Sequence, residues 1–372
     1  MGTSPGMRRK VHGHSIWRWR LGILVVLGIV VFLGVTQFQE GRSLTEGNQY
    51  FTTIPDEVPA PKPKIAFLFL ARNQMPLDFL WAHFFKGAEA DEYSVYIHAR
   101  PGVTYTRKNS ECKAFYNRQL PNSVSVEWGG ASMIEAERLL LAAALEDPKN
   151  ERFLLLSDSC VPLYTFKYVF NYVVTSPRSF VDSFIDYNDD RYNPRMAPDI
   201  QEDRWRKGSQ WFVLLRKHAE AIVADKTIFP NFQNHCKRLA LPEYWRTGEN
   251  QTETNCIPDE HYVQTLLAIL GLEEEIERRT LTYSKWKDFD QERDRKGWHP
   301  ITFNYPDASL EAVKDIQAII KIEYVTESRT EWCSSNGEPR PCYLFARKFT
   351  KGAGIRLHDM VKKYEKPPDP IH

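Results

Sequence analysis

The chain has 372 residues, and its 49 Lys and Arg against 48 Asp and Glu leave a net charge of +1. That length fits one large domain or two ordinary ones, and near-neutrality offers no global field for nucleic acid. The six cysteines, at 112, 160, 236, 256, 333 and 342, contain no CxxC unit and no zinc-like spacing, which argues against a structural metal. Ten Trp, 17 Tyr and 21 Phe are a generous aromatic load, compatible with sugar stacking and equally with an ordinary core.

Arg8, Arg9, Lys10, Arg18 and Arg20 precede an unbroken apolar run, Leu21 to Val35, and no acid occurs before Glu40. Ile16, Trp17 and Trp19 extend the run into an interfacial zone. A span of about 20 residues crosses a bilayer, and basic residues before it stay in the cytosol. The expectation is an uncleaved signal-anchor: tail 1–20, membrane span 21–36, stem 37–63, lumenal domain 64–360 and flexible tail 361–372. The competing reading is a cleaved signal peptide. Against it, the run exceeds the usual ~7–15 apolar residues, and Gly34-Val35-Thr36 is a poor cleavage site. Outside the cytosol cysteines can pair, and Cys333 and Cys342, bracketing the turn-rich SSNGEPRP, are the first pair expected. The same compartment makes Asn250-Gln251-Thr252 a usable N-glycosylation acceptor.

After the proline-rich stem, KIAFLFLAR (64–72) reads as a buried strand and 77–87 as a helix with Leu77, Leu80, Trp81, Phe84 and Phe85 on its apolar side. YSVYIHAR (93–100) is a second strand, SVSVEW (123–128) an alternating third, and 134–145 a helix. RFLLLSDSCVPL (152–163) is the most strand-like segment, breaking at Ser157-Asp158-Ser159-Cys160 before a helix near 165–174. Such alternation predicts an α/β fold with a mainly parallel central sheet. Ligands then bind at the carboxyl ends of the strands, which gathers Ala71-Arg72-Asn73, His98 and Ser157-Asp158-Ser159 at one rim. No GxGxxG or Walker pattern occurs, against a dinucleotide or P-loop enzyme. Residues 205–223 read as a strand turning into a helix, 226–255 hold little periodicity, and a helix is expected at 309–320. PCYLFARKF (341–349) is a last apolar run that would close the sheet and bring Arg347 and Lys348 to the rim.

The stretch CIPDEHYVQTLLAIL (256–270) reads as a turn feeding a helix, with Pro258 at the start and Asp259 and Glu260 in the first turn. Acids there are favoured by the helix dipole alone, so capping and a catalytic carboxylate both remain open at this point.

FLFLARNQMPLDFLW (67–81), RFLLLSDSCVPLYTF (152–166), RKGSQWFVLLRKHA (206–219), CIPDEHYVQTLL (256–267), SKWKDF (284–289) and RTEWCSSNGEPRPCYLFARKF (329–349) together resemble the plant branch of the core-2/I-branching β-1,6-N-acetylglucosaminyltransferase-like family, glycosyltransferase family 14. The resemblance implies a GT-A-like nucleotide-sugar-binding fold, a type II Golgi membrane enzyme, and inverting transfer from a UDP-sugar to a glycan, glycoprotein or wall polysaccharide. N-acetylglucosamine is the first donor sugar it implies and glucuronic acid the second. It also implies no cofactor and no metal. Asp158-Ser159-Cys160 stands where an Asp-x-Asp metal motif would be expected, and a lone carboxylate is a poor divalent-cation site. Asp158 is left either to contact ribose or the donor sugar or to cap a strand end.

On the same resemblance Glu260 is the general base, with Asp259 capping or orienting its helix. Lys348 meets the diphosphate, assisted by Arg329 or, failing that, Arg347. Trp286 and Trp298 either stack on the acceptor sugar or simply pack. Two readings from other classes stand beside the enzyme: a catalytically inactive, membrane-tethered glycan-binding protein of the same fold, and a structural Golgi membrane protein. The presence of both Glu260 and Lys348 speaks against the first, and a stem without heptads against the second.

Overall fold

The computed structural model describes residues 62–185, 191–238, 254–286, 299–335 and 337–365. The apolar run 21–36, most of the stem, Asn250, Trp298 and the tail from 366 lie outside the described residues. Among the described residues, no helix is long and apolar enough to cross a membrane.

The continuous apolar runs form the centre, because a strand covered on both faces has no use for polar residues. β1 (Lys64–Leu70), β2 (Tyr93–His98) and β3 (Asn150–Ser157) are parallel, with Leu70 level with both His98 and Ser157. After the short β4 (Val161–Pro162), the sheet is completed by β5 (Ser179–Phe180), β6 (Val213–Leu215) and β7 (Ile276–Glu277), in the order β2-β1-β3-β6-β5-β7. Only β6 runs against its neighbours, so the sheet is mostly parallel, as the sequence implies.

Alternate residues of β1 serve the two faces. Phe67 and Phe69 pack in edge-on aromatic contacts with Phe84 and Trp81 of α1 (Asp78–Phe84), at 5.8 and 4.9 Å between ring centres. Ala66 and Leu68 join the opposite core, with Ile134, Leu140 and Leu141 of α2 (Ser132–Leu145). Full burial of such side chains stabilises by roughly 1.5–3 kcal/mol each, which fixes the rim from both sides. α3 (Phe166–Thr175) starts at Thr165, whose hydroxyl accepts from Tyr168 N. α4 (Arg216–Ala224) continues directly from β6. α5 (Ile228–His235) lies in the stretch the sequence leaves unpatterned; Asp225 accepts from the backbone N–H groups of Thr227, Ile228 and Phe229 at its start. α6 (Tyr262–Ile269) and α7 (Leu310–Gln317) follow as expected, and α8 (Lys351–Glu365) ends the described chain.

Two expectations are corrected. Residues 123–128 form no strand. The edge of β2 is taken instead by 118–120, where Ile97 N bonds Arg118 O at 2.8 Å and Leu120 N bonds Ile97 O at 2.8 Å. Val124 N donates to the His98 side chain at 3.0 Å, and Val126 and Trp128 remain partly exposed. The second correction concerns the last apolar run. β8 (Thr282–Ser284), the hairpin of β9 (Lys321–Tyr324) and β10 (Arg329–Trp332), and the pair β11 (Ser334–Ser335) and β12 (Glu338–Pro339) precede β13 (Phe345–Arg347). β13 does not close the central sheet. It lies between β4 and β8 in a separate three-stranded sheet. Because β4 directly follows the turn after β3, that small sheet still delivers Arg347 and Lys348 to the rim: Phe349 N bonds Ser159 O at 3.0 Å.

Candidate active site

The ends of β1, β2 and β3 are tied by their first residues beyond the sheet. Ala71 N bonds His98 O at 2.9 Å and Asp158 N bonds Leu70 O at 3.0 Å, while Arg72 N reaches Asp158 Oδ2 at 3.4 Å. Burial raises the Asp158 carboxyl above its ordinary range, opposed by the charges of Arg72, Arg347 and Lys348. Lys348 is half-buried; burial lowers its pKa first, then the neighbouring Arg347 and Arg72, with Asp158 opposing. Arg347 lays its guanidinium over the Trp211 ring, 4.3 Å from the centroid. Its Nε is buried and, among the described residues, has no hydrogen-bond partner. Three cations thus face one carboxylate here, and one of them carries an unused buried donor. Buried polar atoms are rarely left so, and at a rim lined by cations this donor is available to an anionic partner.

The second half of the site is the turn Pro258–Glu260, a single 3-10 turn before α6. Its entry is pinned by the Cys236–Cys256 disulfide and by Cys256 N donating to Lys237 O at 3.0 Å. Neither this turn nor α6 is capped by a side chain, and His261 separates the acids from α6. Asp259 therefore does not cap the helix. It is 5% exposed, and its Oδ1 has no partner among the described residues. Burial, then the Glu260 charge, pushes its carboxyl up to about 7, and Arg347 opposes. Behind it lies Glu137 of α2, 2% exposed and held by Gln210 Nε2 at 3.1 Å. Burial and then Asp259 hold Glu137 well above the usual carboxylate range.

Glu260 faces the other way. Its Oε2 accepts from Arg191 Nη1 at 2.8 Å, and its side chain stays 29% exposed. Its backbone carbonyl accepts from Gly208 N at 2.9 Å and from the Gln264 side chain. A Cβ at Gly208 would collide with the Asp182 carbonyl, so only glycine lets the two segments close on the Glu260 turn.

The structure brings Asp158, Arg347, Lys348, Asp259 and Glu260 into one electrostatically connected group, Asp259 linking Arg347 to Glu260. Arg329 is placed elsewhere. It bridges Glu327 at 2.7 Å and Glu331, donates to Ser183 O at 3.1 Å and covers Tyr324 at 3.9 Å. Asn73 is exposed one residue beyond Arg72, and Trp286 is 50% exposed at the end of a described segment. Trp298 and Asn250 lie outside the described residues. Cys333 and Cys342 are joined, with Cα atoms 5.1 Å apart, and Cys112 and Cys160 are free and buried. Among the described residues no group of three or more His, Cys, Asp or Glu is placed to hold a metal ion. Arg191, Trp211 and Glu137 take part without having been singled out in the sequence. Arg191 sits in a polar, irregular stretch that carries no periodic signal, and Glu137 looks like an ordinary helix charge.

The profile of the Core-2/I-Branching enzyme family matches residues 65–317. A rice (Oryza sativa subsp. japonica) protein, Glycosyltransferase BC10, is 54% identical over 314 residues, covering 82% of this chain and 79% of its own. Among solved structures, an active-site mutant of LgtC covers 55% of this chain and 70% of its own at 7% identity; with a TM-score of 0.28 that likeness carries no argument. The chain belongs to the Core-2/I-branching enzyme family. It is a glycosyltransferase, with its candidate active site at the carboxyl ends of β1 and β3.

Proposed function

We propose that the protein is an inverting, metal-independent glycosyltransferase of GT-A-like architecture, moving a sugar from a UDP-sugar to a glycan, glycoprotein or wall-polysaccharide acceptor. The observation that carries this reading is the convergence of Arg72, Arg347 and Lys348 on Asp158, with the buried Arg347 Nε unpartnered among the described residues. Inversion is a single displacement. The acceptor oxygen attacks the anomeric carbon while the bond to the diphosphate oxygen breaks, and a base removes the acceptor proton. Glu260, oriented by Arg191, is that base. The charge developing on the leaving UDP is met by Lys348 and Arg347, preorganised in a partly dehydrated site where such contacts act strongly. Asp158 accepts from donor hydroxyls at the rim, beside the exposed Asn73, and Trp286 and Trp298 stack on the acceptor. Metal independence rests on the single acid of Asp158-Ser159-Cys160 in place of an Asp-x-Asp pair.

The donor is UDP-N-acetylglucosamine first and UDP-glucuronic acid second, on the family resemblance. The charge asymmetry around residues 21–36 supports a single-pass type II membrane protein with its catalytic domain lumenal and Asn250 glycosylated, and the Golgi as its compartment rests on the family resemblance. Protease treatment of sealed microsomes would then spare the large C-terminal part, and its digestion without detergent would contradict the topology. The activity is tested by screening UDP-sugars with the purified full chain in EDTA. Transfer is expected with at least one donor. Activity lost to EDTA and restored by manganese would make Asp158 a metal ligand, and failure of every nucleotide sugar to bind would leave a tethered glycan-binding protein.

A further inference from the structure

We propose that His299 is a donor-linked proton acceptor, which takes a proton from solvent as the diphosphate binds and so adds a further positive charge beside the leaving group. The proposal rests on the diphosphate site above and deepens it. Three independent backbone anchors assemble the place. Phe303 N bonds Lys348 O at 2.7 Å and the Phe303 and Phe349 rings stack at 4.6 Å, which holds the 299–303 segment along the exit of β13. Ile301 N bonds Lys285 O at 2.7 Å. Arg238 N bonds Gly129 O at 2.9 Å, and Gly129, at φ +76°, is needed because a Cβ there would come 2.7 Å from the Arg238 Cβ.

Between these anchors Trp128 acts as a platform. The Arg238 guanidinium lies over its ring at 4.4 Å, and the His299 ring meets it at 4.7 Å between centres. The charges that act most strongly on His299 are Lys348 and Arg347 from β13 and its exit, Arg238 after α5, and Arg72 after β1. Asp158 is the carboxylate coupled to three of these cations. Partial burial of the imidazole and then these four cations lower its pKa, so in the free enzyme the ring is neutral at pH 7. The arrangement is most costly for a cation while the site is empty. A diphosphate brings about two negative charges to Lys348 and Arg347, which offsets part of the repulsion from these cations and shifts the imidazole's titration upward. The imidazole then binds a proton, and the imidazolium is a donor toward the diphosphate oxygens. Affinity for the donor must therefore rise as pH falls through the region where the free imidazole is neutral and the bound one charged.

The probe is UDP-N-acetylglucosamine, with UDP-glucose as a second ligand, because a diphosphate diester has no proton of its own to exchange near neutrality. Calorimetry on the purified full chain at pH 7, in buffers of different ionisation enthalpy, reads the protons taken up. A fraction of one proton per bound donor is expected in the wild type, with Kd about tenfold tighter at pH 5.5 than at pH 7.5. Both effects should fall clearly in His299→Gln, and what remains is expected from Asp259, whose carboxyl is pushed up to about 7 and is coupled to Arg347. A measurement that needs no variant follows the histidine Cε1–H resonances with and without the donor. One midpoint should move upward by more than about one pH unit. Binding without proton uptake, or uptake unchanged in His299→Gln, overturns the role of His299 alone. Failure of both sugar nucleotides to bind overturns the donor site itself and this proposal with it.

Discussion

Arg191 Nη1 donates to Glu260 Oε2 at 2.8 Å, and this contact fixes the carboxylate of the proposed base. A guanidinium can hold a carboxylate oxygen in a fixed direction through a charge-assisted hydrogen bond. Arg191→Ala is therefore expected to lower kcat by about 10–100-fold with donor Kd little changed, because orientation of the base acts on the transition state. Arg191→Lys should recover part of the loss. Steady-state kinetics beside donor-binding calorimetry decide it, and an Arg191→Ala enzyme with full turnover would show the contact to be merely structural.

Arg347 and Arg329 are predicted to behave differently although both lie in the C-terminal region. Arg347 is coupled to Asp158 and Lys348 and carries an Nε unused among the described residues, whereas Arg329 is consumed by Glu327, Glu331 and Ser183 O. Arg347→Lys should weaken UDP binding and turnover together. Arg329→Ala should lower the melting temperature and leave UDP binding within about threefold, since its loss takes an ion-pair partner from Glu327 and Glu331 rather than from a ligand. The reverse pattern in binding calorimetry would return the diphosphate contact to Arg329.

Buried Asp259 gives the protein a distinctive pH dependence. Its carboxyl is pushed up to about 7 in the fold from an ordinary 3.8. A carboxyl that holds its proton more tightly when folded costs nothing below about pH 4, destabilises increasingly as pH rises toward 7, and is constant above that. The full effect is on the order of 4 kcal/mol, and Glu137 acts with the same sign. Asp259→Asn should therefore be more stable than the wild type at pH 7.5 and flatten the slope between pH 4 and 7. Urea melts across that range measure it, and an unchanged slope would place the proton elsewhere.

The disulfides should differ in what they protect. Cys236–Cys256 spans 20 residues and Cys333–Cys342 spans 9, and loop-closure entropy assigns each about 3 kcal/mol. Only the first anchors the Asp259–Glu260 turn. Cys236→Ser with Cys256→Ser should lose activity at temperatures where the fold survives. Cys333→Ser with Cys342→Ser should lose stability alone. Parallel melting and activity curves distinguish them, and equal losses of activity would contradict the anchoring role.

The strands that build the rim were legible because burial on both faces leaves an uninterrupted apolar run, as in 64–70 and 152–157. The misread segment, 123–128, shows the converse. Val124, Val126 and Trp128 alternate like a strand, yet Trp128 meets Arg238 and His299 instead of a sheet neighbour. α5 carries no periodic signal because its start depends on Asp225 accepting three backbone bonds, a local device. Glu260, Lys348 and Asp158 were legible only as a set of motifs. Arg191, Glu137, Arg238 and His299 were not, since each acquires its role from a partner far away in the chain.

The central claim is that Glu260 takes the acceptor proton. Glu260→Gln keeps the shape and can still meet Arg191 through its amide oxygen, but it has no basic oxygen. With whichever UDP-sugar is transferred, the account predicts a fall in kcat of roughly 10²–10⁴-fold, with donor Kd within about threefold of wild type. Turnover at the wild-type rate in Glu260→Gln would contradict the account.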